Sequence, residues 1–306
     1  MRLRSLLFRA CLSLAVLLGG LASRAMAQAK LVSPDESFVV YTPSIWDLFA
    51  DYQSGGSRSY PLLVYLHGAN QTNETAYEPM LKSLALAGYY VLFPRYDAQS
   101  ANSNDYYFHA RDETLHALFN VNTLLTNPQY QGLFHSVDTG RIGLIGHSWG
   151  GAYALKMANN LRYVGVETKA LVLHDPSGFN SDAAPLGAFP YWLDSWYLRL
   201  IPSNTRLVTI VSTDMVVQEV NSSTTLGSGE ASGIWARAWH NTPVWSNYRH
   251  AFLAARTHRS VSTDYASYGA VWRNVTVNAM NSAFRGAYFS PTQSGTWTLN
   301  FDSITP

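Results

Sequence analysis

The chain has 306 residues, 47% of them hydrophobic and 13% charged, with 21 Lys+Arg against 20 Asp+Glu and a single cysteine. That length is ample for one large buried core. A net charge of +1 argues against nucleic acid as a partner, which needs a concentrated basic surface. An aromatic content of 13% argues against disorder, and one cysteine excludes an intrachain disulfide.

Residues 1–27 carry Arg2, Arg4 and Arg9 ahead of an apolar run from Ala10 to Ala22, followed by Ala25-Met26-Ala27. This is the pattern of a cleavable signal peptide. The apolar run falls short of the ~20 residues that cross a bilayer, so the expectation is export rather than anchoring. Cys11 lies at the start of the run, where a lipid-modified cysteine would have to follow it. A mature chain starting near Gln28 loses four arginines, no acid and its only cysteine, which moves the net charge from +1 to −3. The expected division is a signal peptide over 1–27 and a single domain over 28–306, secreted or periplasmic, with no transmembrane anchor.

From Val39 onward, apolar runs alternate with helix-like stretches. Pro61 to His67 reads as a buried strand closed by Gly68, and Met80, Leu81, Leu84 and Ala85 mark a helix face closed by Gly88. Tyr89 to Phe93 is the next strand, stopped by Pro94. A polar loop from Asp97 to Asp105 leads into a helix whose apolar positions are Leu115, Leu118, Phe119 and Leu124. The strand Arg141–Ile145 precedes Gly146 and a helix through Tyr153, Leu155 and Met157. Lys169–His174 and Arg206–Val211 are further strands, and Arg249–Ala254 is a weaker one. Near the end, Trp297, Leu299 and Phe301 alternate with polar residues, as in a half-buried edge strand. Together these predict an α/β fold with a doubly wound, mostly parallel sheet. Residues 221–233 have the small, polar composition of a surface loop. Residues 176–204 form an aromatic-rich excursion, with Trp192 and Trp196 among its rings, that reads as a cap over a site or as ordinary surface packing.

The sharpest chemical signal is Gly146-His147-Ser148-Trp149-Gly150-Gly151 at a strand-to-helix junction. Serine in such a turn needs small residues two positions to either side, and the turn projects its hydroxyl beyond the carboxyl edge of the sheet. Here the chain resembles the α/β-hydrolase superfamily. His67-Gly68-Ala69 is similar to the HG-x turn after the third strand of that fold. Gly88 to Tyr96 resembles the next strand of the dienelactone-hydrolase, chlorophyllase and polyester-hydrolase-like branches. The resemblance implies a serine hydrolase acting on esters, with a triad in the order Ser, Asp/Glu, His.

A serine hydroxyl is a weak nucleophile near neutral pH, so Ser148 needs a base, and the base needs an acid to fix its tautomer. Asp214, after the strand ending at Val211, is the expected acid; it resembles the D-x-x-V turn of the polyester-hydrolase branch. Asp175, directly after His174, is its rival. His240, His250 and His258 lie beyond Asp214. His258 follows the last parallel strand, where a loop presents it, whereas His250 would sit at that strand's start. The backbone N–H of Trp149 comes with the turn, and that of Ala69 is the second oxyanion donor implied by the resemblance. Asn70 and Trp149 are candidate pocket residues beside Trp192 and Trp196.

No H-E-x-x-H, G-x-G-x-x-G or phosphate-binding loop occurs, so no metal or cofactor is expected. The leading expectation is a secreted carboxylic ester hydrolase acting on small-molecule or polymeric esters. An acyltransferase or peptidase using the same triad remains open, as does a non-catalytic aromatic-rich protein that binds carbohydrate or polymer. Oligomeric state is not legible in the sequence.

Overall fold

The computed structural model describes residues 28–53, 60–68, 71, 73–96, 103–130, 132–176, 201–212, 243–245, 248–254, 257–262, 265–290 and 296–298. Among the described residues, nine strands form one sheet: β1 (Gln28–Val32), β2 (Phe38–Ser44), β3 (Tyr60–Leu66), β4 (Tyr90–Pro94), β5 (Val137–His147), β6 (Glu167–His174), β7 (Arg206–Ser212), β8 (Arg249–Ala254) and β9 (Thr296–Thr298). Their spatial order is β1-β2-β4-β3-β5-β6-β7-β8-β9. Strands β3 to β8 run parallel, while β1–β2, β2–β4 and β8–β9 pair antiparallel. The mostly parallel, doubly wound α/β sheet expected from the sequence is therefore present.

Alternation along the strands divides the core between two faces. Leu62, Val64 and Leu66 of β3 enter one apolar cluster with Leu92, Leu144 and Leu173, while Leu63 and Tyr65 enter the other with Val91, Ile145 and Val172. Burial on both faces explains why these strands read as unbroken apolar runs. The helices α1 (Ile45–Gln53), α3 (Ser103–Leu125) and α4 (Trp149–Leu161) contribute to the first cluster. The helices α2 (Glu78–Leu86) and α5 (Tyr265–Arg285) close the second.

Several expectations change. Strand β1 precedes the alternation seen from Val39; it contributes only Leu31 to the buried core and reads as polar. Helix α3 begins at Ser103, so the end of the expected 97–105 loop is helical. Phe119, expected on the apolar face of that helix, is 68% exposed. The buried positions around it, Ala117, Leu118, Val121, Leu124 and Leu125, recur three and four residues apart, and Phe119 is rotated about 100° from Leu118, on the solvent side. Met80, Leu81, Leu84 and Ala85 are all buried as expected. At the far edge, β9 pairs Trp297 with Leu253 as an added antiparallel strand. Residues 1–27, the stretch 177–200 and the loop 221–233 lie outside the described residues.

Tyrosine supplies an unusual share of the interior. Among the described residues, eight of the twelve largest fully buried side chains are Tyr41, Tyr65, Tyr77, Tyr89, Tyr90, Tyr96, Tyr107 and Tyr153. Several of their hydroxyls tie distant segments: Tyr96 donates to the His67 carbonyl at 2.6 Å and Tyr89 to Asn281 Oδ1 at 2.7 Å.

Candidate active site

Strand β5 ends at His147, whose register partner is His174 at the end of β6, and α4 starts at Trp149. Ser148 is the one residue between strand and helix, with φ 54° and ψ −126°. For a residue with a Cβ this conformation costs on the order of 1–3 kcal/mol and persists only where the surroundings impose it. The surroundings here are backbone. The Ser148 N–H donates to the His174 carbonyl at 3.0 Å, and the Ser148 carbonyl accepts from Gly151 N–H at 2.9 Å. A Cβ on Gly146 would lie 2.1 Å from the Gly150 carbonyl oxygen, and one on Gly150 would lie 2.3 Å from that of Leu66. Neither position tolerates any side chain, which is the physical content of the small-residue spacing around Ser148. Serine favours helix N-caps, yet the Ser148 side chain makes no capping bond to α4. It is 8% exposed.

Three residues other than glycine have positive φ among the described residues: Glu36 in a surface turn, Ser148, and Asp175 at φ 43°. The last two are neighbours in space, because the carbonyl bonded by Ser148 belongs to the residue preceding Asp175. Asp175 is buried, its N–H donates to the Ile210 carbonyl at 2.8 Å, and its carboxylate accepts from Ser212 N–H at 2.8 Å and from the Ser212 hydroxyl. It thus ties the carboxyl ends of β6 and β7 together beside the serine turn. A Cβ on Gly151 would lie 2.5 Å from Cβ of Pro176, so the Asp175-Pro176 pair also packs on the start of α4.

Next along the sheet, β3 delivers His67 and Gly68 to the same edge. The His67 ring stacks on Tyr96 with centroids 3.7 Å apart, and its Nδ1 faces the Gly68 carbonyl at 2.8 Å, which makes Nδ1 the protonated nitrogen. Beyond β4, Glu74 is almost fully buried and pairs with both Lys30 (2.5 Å) and Arg95, whose guanidinium meets both carboxylate oxygens. Those cations hold its carboxyl well down, at about 2, against the opposing effect of burial.

Beneath the turn, His174 is buried between β3 and α5. Thr276 Oγ1 donates to the Trp272 carbonyl and therefore accepts from His174 Nε2–H at 2.7 Å, while Nδ1 faces the Tyr65 hydroxyl. Burial pushes this imidazole down to about 3, so it is neutral in the folded protein. A folded value below the ordinary ~6.5 means that the unfolded chain takes up a proton the folded chain refuses. The stabilisation is complete above about pH 6.5 and lost as pH falls toward 3. Denaturant titrations from pH 6.5 to 4.5 should show wild type losing about 1.4 kcal/mol per pH unit more than His174→Gln. Equal slopes for the two proteins would disprove a neutral His174.

The remaining expected residues divide as follows. Trp149 is half-buried at the first position of α4, packed against the first core cluster. His250 pairs with Val208 at the amino end of β8, its ring 4.5 Å from Phe289. The backbone of His258 opens the short 3-10 helix His258–Val261 just past the carboxyl end of β8. Asp214, Ala69, Asn70, Trp192, Trp196 and His240 lie outside the described residues. Sequence reasoning missed Tyr77, Tyr96 and Ser212, since single tyrosines and serines carry no spacing signal of their own. Among the described residues, no three His, Cys, Asp or Glu are grouped to hold a metal ion, and no helix is long and apolar enough to cross a membrane.

The profile of the alpha/beta hydrolase family matches residues 63–285. No curated protein matches the sequence. Among solved structures, a ferulic acid esterase from Streptomyces cinnamoneus is similar at 15% identity and TM-score 0.55, over 90% of this chain and 95% of that one. A fungal esterase from Rhizomucor miehei is similar at 14% identity and TM-score 0.50, over 86% and 88% of the two chains. The profile spans well over half of the sequence, beginning within β3 and containing the serine turn and β8: the chain belongs to the alpha/beta hydrolase family.

Proposed function

We propose that this protein is an exported serine esterase in which Ser148 attacks the ester carbonyl, His258 shuttles the proton, and an acyl-enzyme is hydrolysed by water. The observation that carries this reading is the backbone of Ser148, held at φ 54° between the end of a buried parallel strand and the start of a helix by glycines that admit no side chain. Strain of this kind is expected where it aims a reactive group. The backbone N–H of Trp149, at the helix start, and that of Ala69 are the proposed oxyanion donors. Asn70, Trp192 and Trp196 are the proposed pocket residues. The esterase activity of two structural neighbours and the many aromatic residues favour small to medium esters or polyester-like chains.

Asp214, two residues past β7, is the proposed acid. One observation favours a second assignment: Asp175 shares with Ser148 both a left-handed backbone and a place at the same sheet edge. Residues 1–27 are the proposed signal peptide and 28–306 the proposed domain.

Incubation with a fluorophosphonate followed by peptide mapping tests the nucleophile. One equivalent of label on Ser148, with parallel loss of turnover, is the expected result. Turnover that persists after full exposure to the reagent, or label on another residue, would overturn it.

A further inference from the structure

Tyr77 ends the 3-10 helix Glu74–Tyr77, is fully buried, and packs against Tyr65 and Phe93. A phenylalanine would fill that space equally well, so the hydroxyl needs its own explanation. Its oxygen accepts from the Gly68 N–H at 3.0 Å and lies 2.8 Å from His147 Nδ1. With the Gly68 N–H supplying the proton of the first bond, the phenol proton is free to go to His147 Nδ1. The two partners sit on different strands: Gly68 just past β3, and His147 at the last position of β5, immediately before Ser148. These chain segments are already in contact, since a Cβ on Gly68 would lie 3.0 Å from Cβ of Ser148. Burial also pushes the phenol above its ordinary range, so it stays a neutral donor across the working pH of an esterase.

We propose that Tyr77 is a positioning residue for acyl transfer: its hydroxyl bridges Gly68 and His147 and so sets the gap between the turn after β3 and the serine turn. The proposal rests on the reading of Ser148 as nucleophile. It follows that the Gly68 N–H is committed to Tyr77 and is not itself an oxyanion donor. What the bridge fixes is the plane of the Gly68 peptide relative to Ser148. The platform for Tyr77 is rigid: Glu74, at the start of the same helix, is clamped by Lys30 and Arg95, and Asn73 Oδ1 caps the turn by accepting from Thr75 N–H. A donor must meet the developing oxyanion within a few tenths of an ångström, and a displacement of about 1 Å costs on the order of 100-fold in rate.

Tyr77→Phe keeps the ring and removes the bridge. On a p-nitrophenyl ester, kcat per active site should fall about 10- to 100-fold with KM within about twofold of wild type. Active sites are counted by fluorophosphonate titration, so a partly unfolded variant lowers the count and not kcat per site. Should Tyr77→Phe fail to fold, His147→Leu removes the same bridge from its other end and carries the same expectation. A kcat per site within twofold of wild type, or a change confined to KM, would overturn the proposal. Wild-type protein that the fluorophosphonate neither labels nor inhibits would instead refute the serine reading, whatever Tyr77→Phe does.

Discussion

Ser148→Ala is expected to lower kcat on p-nitrophenyl esters by about 10⁶-fold while leaving thermal unfolding nearly unchanged. The size follows from what is removed. Without an oxygen at this position no acyl-enzyme forms, and only binding and the oxyanion donors remain, which together leave a residual acceleration over water of about 10³- to 10⁴-fold. The small effect on stability follows from how the turn is held. The N–H and carbonyl of residue 148 make the bonds to His174 and Gly151, and both survive the substitution. The side chain does not cap α4, so the helix loses no cap. Calorimetry beside single-turnover kinetics separates the two effects. A variant that loses activity together with several degrees of melting temperature would assign Ser148 a structural role.

The second large effect concerns the acid. If Asp214 orients His258, Asp214→Asn should reduce kcat by about 10⁴-fold, because an amide stabilises the wrong imidazole tautomer. Asp175→Asn should then act on folding. The Ser212 hydroxyl and N–H both donate to that carboxylate in a buried setting, and weakening a charge-assisted pair of this kind costs about 1–3 kcal/mol. The alternative assignment predicts the opposite split, with Asp175→Asn carrying the 10⁴-fold loss and Asp214→Asn nearly silent. Steady-state kinetics on the two variants, each normalised by fluorophosphonate titration, decides between them. Equal, small losses in both would remove an aspartate from the triad altogether.

The parallel strands were legible because burial on two faces writes itself as unbroken apolar runs, as in Leu62 to Leu66 and Leu171 to Leu173. The serine turn was legible for a different reason: a Cβ on Gly146 or Gly150 would lie within 2.5 Å of backbone atoms, so sequence spacing there reflects a steric fact. The antiparallel edge was not, since β1 has only Leu31 to commit to the core. Phe119 misled because apolar character says nothing about which side of a helix a residue occupies until the spacing of its neighbours is weighed. The bridge through Tyr77 was invisible for a deeper reason. Gly68, Tyr77 and His147 are separated by 9 and 70 residues along the chain, and only the folded sheet makes them one unit.

The tyrosine-rich interior bears on how this chain chooses one native arrangement without cross-links. With a single cysteine, Cys11, the chain can form no intrachain disulfide to limit its alternatives. Apolar packing is forgiving: cores accept many combinations of similar volume before they lose stability. Hydroxyl bonds between fixed partners are not. Tyr96 reaches back 29 residues to His67, and Tyr89 reaches forward 192 residues to Asn281, each with one acceptor at the right distance. A misregistered strand would bury those hydroxyls unpaired, at a cost of about 1–3 kcal/mol each. The phenols therefore act as proofreaders of strand register. They penalise wrong folds more than they strengthen the right one, and the sheet edge that carries Ser148 inherits the accuracy of that check.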